Sequence, residues 1–287
     1  MARIGEADLV LNADGSVYHL CLLPRHVSDT IITVGDPSRV NMVGQHFDSI
    51  EYEVNRREFI TQVGTYRGKR LTVISTGIGT DNVEIFFNEL DALVNIDLKT
   101  REPKPRRRKL KVVRIGTSGA LQADIPVGSH LVSDYAVGFD NLMSFYHFEQ
   151  SEIENEIAGQ IQQSTGLPFK PYLVRGSETL RKMIGEGMVA GNTVTAPGFY
   201  APQGRALRLP LRYPRLLDDL TAFHHRGEDF WLTNFEMETA GYYGLGRLLG
   251  HEVVSVNAII GNRVTNQFSK DPNVIVEGLI TKVLDRI

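Results

Sequence analysis

Arg114-Ile115-Gly116-Thr117-Ser118-Gly119 is the stretch on which the reading of this chain turns. It lies within Val112–Asp140, where Val112, Val113 and Ile115 have the composition of a short buried strand and the glycines permit a tight turn after it. A strand ending in a small-residue loop can aim a guanidinium, the Thr117 hydroxyl and several backbone N–H groups at one anion. A second strand, His130-Leu131-Val132-Ser133-Asp134, follows the turn signal Pro126-Val127-Gly128. The same residues also describe a buried strand whose Arg114 is merely ion-paired, so the motif alone leaves both readings open.

Two further junctions of the same kind lie upstream. Ile31-Ile32-Thr33-Val34 is an apolar, β-rich run stopped by Gly35-Asp36-Pro37, and Ser38 to Phe47 continues with helical spacing and Arg39 near its first turn. Strands are expected at Ile50–Val54, Phe59–Tyr66 and Leu71–Ser75, the last pair joined by Arg67-Gly68-Lys69. The third runs into Thr76-Gly77-Ile78-Gly79-Thr80, before a helix over Asn82–Val94. Gly35–Arg39, Ser75–Thr80 and Arg114–Gly119 are thus three strand-to-loop junctions suited to an anion. None has the Gly-x-x-x-x-Gly-Lys-Ser/Thr or the Gly-x-Gly-x-x-Gly spacing, which favours a pocket for inorganic phosphate over a nucleotide site.

Downstream, helices are expected over Ile153–Thr165, Ser177–Gly185 and Tyr213–His225, and strands over Pro171–Val174 and Met188–Val194. Asn192–Arg215 is rich in Pro and Gly and long for a compact domain, the mark of a functional loop. Val253–Ile260 reads as a central strand, and Asp271-Pro272 opens a last amphipathic helix. Residues 1–30 read as irregular, with a short strand at Val17–Leu20. Strands and helices alternate with no repeat and no linker. The expectation is one α/β domain over residues 1–287, with a mixed, partly closed central β-sheet flanked by helices.

Composition narrows the function. The chain has 287 residues, 42% of them hydrophobic, and 31 Lys+Arg against 34 Asp+Glu leave a net charge of −3. No global field therefore draws it to nucleic acid. A lone cysteine, Cys21, excludes an intramolecular disulfide and fits a reducing compartment. No signal peptide and no membrane-spanning apolar run are read, so a soluble, cytoplasmic protein is expected. Lys99–Lys111 carries eight basic residues in thirteen; it reads either as a solvated surface insertion or as a polyanion or subunit contact, and the absence of interleaved aromatics favours the first. His224-His225 offers no metal-ligand spacing. Glu236 and Glu238 flank Met237 where a helix should begin; they either complement the helix dipole or accept from the vicinal diol of a ribose.

Taken in order, Gly35-Asp36-Pro37-Ser38-Arg39, Ser75-Thr76-Gly77-Ile78-Gly79, Arg114–Gly119 and Glu236-Met237-Glu238 resemble the nucleoside phosphorylase family of trimers and hexamers, and its uridine phosphorylase branch in particular. The resemblance implies that Gly35, Arg39, Arg114 and Thr117 bind phosphate, joined by Arg57 from a neighbouring subunit. It implies that Met237 and Glu238 hold the ribose, with His19 lent across a dimer to the 5′-hydroxyl. Glu58 and Ser75 match positions that hold a monovalent cation (K+) at the dimer interface of some relatives. Phe199-Tyr200-Ala201-Pro202-Gln203-Gly204-Arg205 resembles the pyrimidine pocket. There Phe199 packs on the base, the Gln203 amide pairs with it, and Arg205 stabilises its charge as it leaves.

Purine-handling relatives place an Asp after the last long strand, where this chain reads Ile259-Ile260-Gly261-Asn262-Arg263. The expected reaction is phosphorolysis of uridine to uracil and ribose 1-phosphate, with Arg114, Gln203, Arg205 and Glu238 as the catalytic groups. Inorganic phosphate is the co-substrate, no organic cofactor is needed, and nucleic acid and membranes are not partners. A dimer-based homo-oligomer with a shared site is expected. The alternatives are a purine nucleoside phosphorylase or nucleosidase of the same fold, and a non-catalytic nucleoside-binding protein. Two departures from the pattern are the basic insertion and the spacing beyond Arg205.

Overall fold

Ile31, Ile32 and Val34 are fully buried, as an apolar run between two polar boundaries must be when it becomes an interior strand. The computed structural model describes residues 3–287. Contacts divide the chain into two compact units, the first comprising the residues up to Arg114 with Leu245–Glu252, the second Ile115–Gly244 with Val253–Ile287.

In the first unit, β1 (Thr30–Val34) lies parallel to β4 (Lys69–Ser75), and β4, β3 (Phe59–Tyr66) and β2 (Ser49–Arg56) form an antiparallel meander. Helix α1 (Ser38–Gly44) follows β1, and α2 (Thr80–Asn95) follows β4. Val83, Phe86, Phe87, Leu90 and Leu93 make up the buried stripe of α2, which is its helical period expressed as packing. A short antiparallel pair, β5 (Ile96–Asp97) and β6 (Glu102–Pro103), opens the basic segment.

That segment is strapped down. Lys104 Nζ donates to the Val94 carbonyl at 3.0 Å, where the last turn of α2 leaves carbonyls without partners. Arg101 donates to the Leu9 carbonyl at 2.6 Å. Arg108 pairs with Asp29, and Lys109 with Glu252. Half of the eight basic residues thus serve the first unit's own backbone and carboxylates.

The second unit holds a ring of strands. Strand β7 (Lys111–Ala120) runs into it and pairs with β13 (Asn234–Glu236); β13 lies parallel to β10 (Val189–Thr195), and β10 lies parallel to β8 (His130–Gly138). Strand β14 (Glu252–Asn262) pairs with β8 and also with β7, so five strands close on themselves. The sheet is therefore mixed and partly closed, as expected. Strands β9 (Tyr172–Arg175) and β15 (Gln267–Phe268) add to β8 and β14, and β11 (His224–His225) pairs with β12 (Phe230–Trp231).

Around the ring lie α3 (Glu152–Thr165), α4 (Glu178–Ile184), α5 (Leu216–Ala222), the start of α6 (Thr239–Leu249) and α7 (Pro272–Leu284). Val137, Val194, Ile157, Ile161 and Leu220 join sheet to helices in one core. Helix α3 begins with a capping box: Ser151 Oγ accepts from Glu154 N while Glu154 accepts from Ser151 N, satisfying two donors at once. Among the described residues no helix is long and apolar enough to cross a membrane.

Three local expectations are corrected. The Arg114–Gly119 motif is not a loop after a strand: β7 continues to Ala120, because Gly119 and Ala120 pair with Phe235 and Asn234. Val17–Leu20 is a turn, with only an isolated bridge between Leu11 and Val17. Helix α5 ends at Ala222, and His224-His225 belongs to a hairpin in which the His224 ring stacks on Trp231 at 3.9 Å.

At the end of β8 a Cβ on Gly138 would lie 2.1 Å from the Tyr172 ring, so only glycine fits beneath that phenol. The Tyr172 hydroxyl donates to Asp140 at 2.8 Å, and Asp140 also accepts from Leu142 N. Burial pushes the Asp140 carboxyl above its ordinary range. The folded state thus holds this proton more tightly than the unfolded chain does, and the group's contribution to stability falls as pH rises from about 4. Asp140→Asn keeps the acceptor and removes the charge. Urea midpoints at about pH 4 and about pH 7 should show the variant gaining on the wild type at the higher pH; an unchanged difference would contradict the assignment.

Candidate active site

Strand β10 ends at Thr195 in register with Glu236 at the end of β13, and the chains leaving these parallel neighbours carry the predicted base and ribose residues. Carboxyl ends of parallel strands are where α/β proteins build ligand sites. After β10 comes Ala196-Pro197-Gly198, then the loop with Phe199, Gln203 and Arg205. One Arg205 nitrogen, Nη1, donates to the Phe199 carbonyl at 2.6 Å and to Gln203 Oε1 at 2.5 Å. Its guanidinium lies over the Phe199 ring, 3.8 Å from the centroid. An arginine only donates, so the amide atom facing it must be the oxygen. The Gln203 amide is thereby oriented, with its oxygen on Arg205.

A second cation joins them. Arg263 Nη1 donates to the Gln203 carbonyl at 2.8 Å, and its side chain passes over Gly119 of β7, where a Cβ would lie 3.7 Å from Arg263 Cγ. Asn262 holds the turn before it, donating to the Gln122 and Ile125 carbonyls and accepting from Val264 N and Thr265 N. Burial, and then the neighbouring Arg263, lower the Arg205 pKa to about 10. Burial lowers that of Arg263 too. Two partly dehydrated cations side by side favour an incoming anion.

On the β13 side, the buried Glu236 is a cap rather than a helical residue. Its carboxyl accepts from Glu238 N at 3.0 Å, from Thr239 N at 2.9 Å and from the Thr195 hydroxyl at 2.6 Å. Thr195 Oγ1 in turn accepts from Ala240 N. The donors at the start of α6 are thus satisfied from two strands at once. Of the two readings, helix complementation belongs to Glu236. Met237 is half-buried and Glu238 is 7% exposed, both held at this junction.

The first unit brings its glycine junctions together. Gly77 N donates to the Gly35 carbonyl at 3.0 Å, and Thr76 N to that of Val34. Gly77 has φ +71, and a Cβ there would meet Asn82 at 2.6 Å and Glu58 at 3.1 Å, so the position requires glycine. Arg39 stands on the first turn of α1, half-buried, and Arg114 is 4% exposed. Thr117 lies three residues further along β7. Ser75 is fully buried; its hydroxyl donates to the Glu58 carbonyl and accepts from Ile60 N. This pair ties the hairpin to β4 and places Ser75 beside Glu58. Among the described residues no group of three or more His, Cys, Asp or Glu side chains is placed for a metal.

Arg57 and His19 lie apart from these junctions in sequence, yet Tyr18 connects them. Arg57 occupies the β2–β3 turn with φ 54, and its guanidinium is 5.8 Å from the Tyr18 ring centroid. The His19 ring stands edge-on to the same tyrosine at 4.8 Å. The two residues implied to serve a neighbouring subunit are thus placed as one group.

Comparison with known proteins gives the family. A family model described as the phosphorylase superfamily matches residues 29–277. The chain belongs to the phosphorylase superfamily. Among its superfamily relatives, the uridine phosphorylase of Thermococcus kodakarensis is 29% identical over 260 residues, covering 90% of this chain and 81% of that protein. The uridine phosphorylase of Haemophilus influenzae is 25% identical over 90% of this chain and 91% of that protein. A crystal structure of the Trypanosoma brucei nucleoside phosphorylase, described as showing uridine phosphorylase activity, superposes with a TM-score of 0.89 at 28% identity, covering 98% of this chain and 100% of that one.

For a superfamily member, the residue that sequence reasoning passed over is Arg263: the segment was read for a missing Asp, while its signal was a cation just beyond an apolar strand. Thr195 carried no signal, since its role depends on strand register. Glu236→Ala should leave three donors unsatisfied in a buried site and destabilise the fold by about 2–4 kcal/mol. Glu236→Gln, which keeps one acceptor, should lose less. Urea denaturation of both variants checks the order.

Proposed function

We propose that this protein catalyses the reversible phosphorolysis of uridine, giving uracil and ribose 1-phosphate. The observation that carries the reading is the locked Gln203–Arg205–Arg263 cluster, a donor-rich, cationic edge where purine-handling relatives are expected to place an acid. As the glycosidic bond stretches, negative charge grows on the departing pyrimidine and positive charge on the ribose. The oriented Gln203 amide meets the edge of the base, and Arg205, with Arg263 beside it, takes up the developing charge. Phe199 covers the base. Glu238 accepts from the ribose diol, with Met237 against the sugar.

In this reading Arg39, Arg114, Thr117 and the backbone at Gly35 hold the phosphate, whose oxygen attacks C1′ as uracil leaves. No covalent enzyme intermediate is required; orientation and preset charge lower the barrier. Arg57 and His19 act in the site of a neighbouring copy within a dimer-based assembly, the reading supported by their grouping on Tyr18.

Base release from uridine, thymidine and inosine, each with and without phosphate, tests the proposal. Uracil should appear only with phosphate. Gln203→Ala and Arg205→Ala should each lower kcat by about 100- to 1000-fold, as loss of a preorganised donor to developing charge does elsewhere. Phosphate-independent release would mean a nucleosidase, and hypoxanthine release a purine enzyme. Tight uridine binding without turnover would mean a binding protein.

A further inference from the structure

We propose that Glu89 is a positioning residue that makes the site selective for an unmodified ribose, by holding His19 in the tautomer whose Nε2 accepts from a 5′-hydroxyl. The inference rests on the reading above, in which His19 meets that hydroxyl. Glu89 lies on α2, its side chain 15% exposed and that of His19 30% exposed. Its Oε1 accepts from His19 N at 3.0 Å and faces His19 Nδ1 at 2.6 Å. Its Oε2 accepts from His19 N at 3.0 Å and from Leu20 N at 2.8 Å.

With both oxygens already accepting from backbone, the carboxyl meets the ring as an acceptor, and Nδ1 must carry the proton. A neutral ring then presents a lone pair at Nε2, which has no partner among the described residues. The turn around the ring is braced. Tyr18 stands edge-on at 4.8 Å. Cys21 N donates to the Val17 carbonyl at 3.1 Å, and Asn12 donates to the same carbonyl at 2.9 Å, so the turn carrying His19 is closed on both sides.

What an Nε2 lone pair recognises is a donor. A hydroxyl on C5′ supplies one; a hydrogen, halogen or thioether there does not. Selectivity for a 5′-hydroxyl nucleoside would therefore originate one residue behind the histidine, in a carboxyl that never touches the sugar.

Because Glu89 also anchors two backbone N–H groups, the test must separate tautomer control from loop support. The readout is the ratio of kcat/KM for uridine to that for 5′-deoxyuridine. Glu89→Gln should lower that ratio roughly fivefold, the size of one neutral hydrogen bond. His19→Ala should lower it similarly, and the double variant should lower it no further. In the wild type, ¹⁵N spectra of the histidine rings, with His19 assigned by its loss in His19→Ala, should show the proton on Nδ1. Equal losses on both nucleosides in Glu89→Gln, or a wild-type proton on Nε2, would overturn the proposal. If the wild type cleaves neither nucleoside, the phosphorolysis reading fails, and the spectrum still decides the tautomer.

Discussion

The carboxyl of Glu236 is the constraint on which the candidate site depends. It is 4% exposed and accepts from two backbone N–H groups and the Thr195 hydroxyl. A buried acceptor with three donors is strong only while all three remain in place. It therefore locks the end of β13, the first turn of α6 and the end of β10 into one arrangement. The Ala196 N–H, donating to the Glu236 carbonyl, adds the first residue of the loop after β10. Met237 and Glu238 inherit their positions from this junction, and the loop carrying Phe199, Gln203 and Arg205 starts beside them.

Charge in the second unit is divided by place. Arg205 and Arg263 meet on Gln203, their pKa values both lowered by burial, whereas Glu236 and Glu238 sit at a helix start that favours anions. The proposed nucleoside substrate matches that division, with an electron-rich base edge at one end and hydroxyl donors on the sugar. The cationic pair is better suited to a base that leaves with negative charge than to one at rest. Stronger binding of the departing form than of the bound substrate is what accelerates a reaction.

In the first unit, half of the charges in the basic tract are taken up by the unit's own groups. Lys104 and Arg101 end on backbone carbonyls, and Arg108 and Lys109 on carboxylates. Their long stems reach partners distant in sequence, as from Arg101 to Leu9 or from Lys109 to Glu252, and no local rule foresees such pairings. In the same unit Glu89 on α2 fixes a loop seventy residues earlier in the chain.

Local order determined much of this protein from its sequence. Apolar runs cut by Gly, Asp and Pro located β1, β3, β4, β8, β10 and β14, and the 3.6-residue period located α2, α3 and α7, because those signals come from residues that are neighbours along the chain. The order of four short motifs pointed to the family, and the Pro- and Gly-rich run after β10 to a long loop. Tertiary structure alone decided that the Arg114–Gly119 motif is a strand, since its extension to Ala120 depends on pairing with β13, more than a hundred residues away. It alone assigned Glu236 to capping, brought Arg263 onto Gln203 and set Glu89 behind His19. Each is a contact between distant segments, and side-chain hydrogen bonds of that kind follow from register and packing, which no local pattern of residue types records.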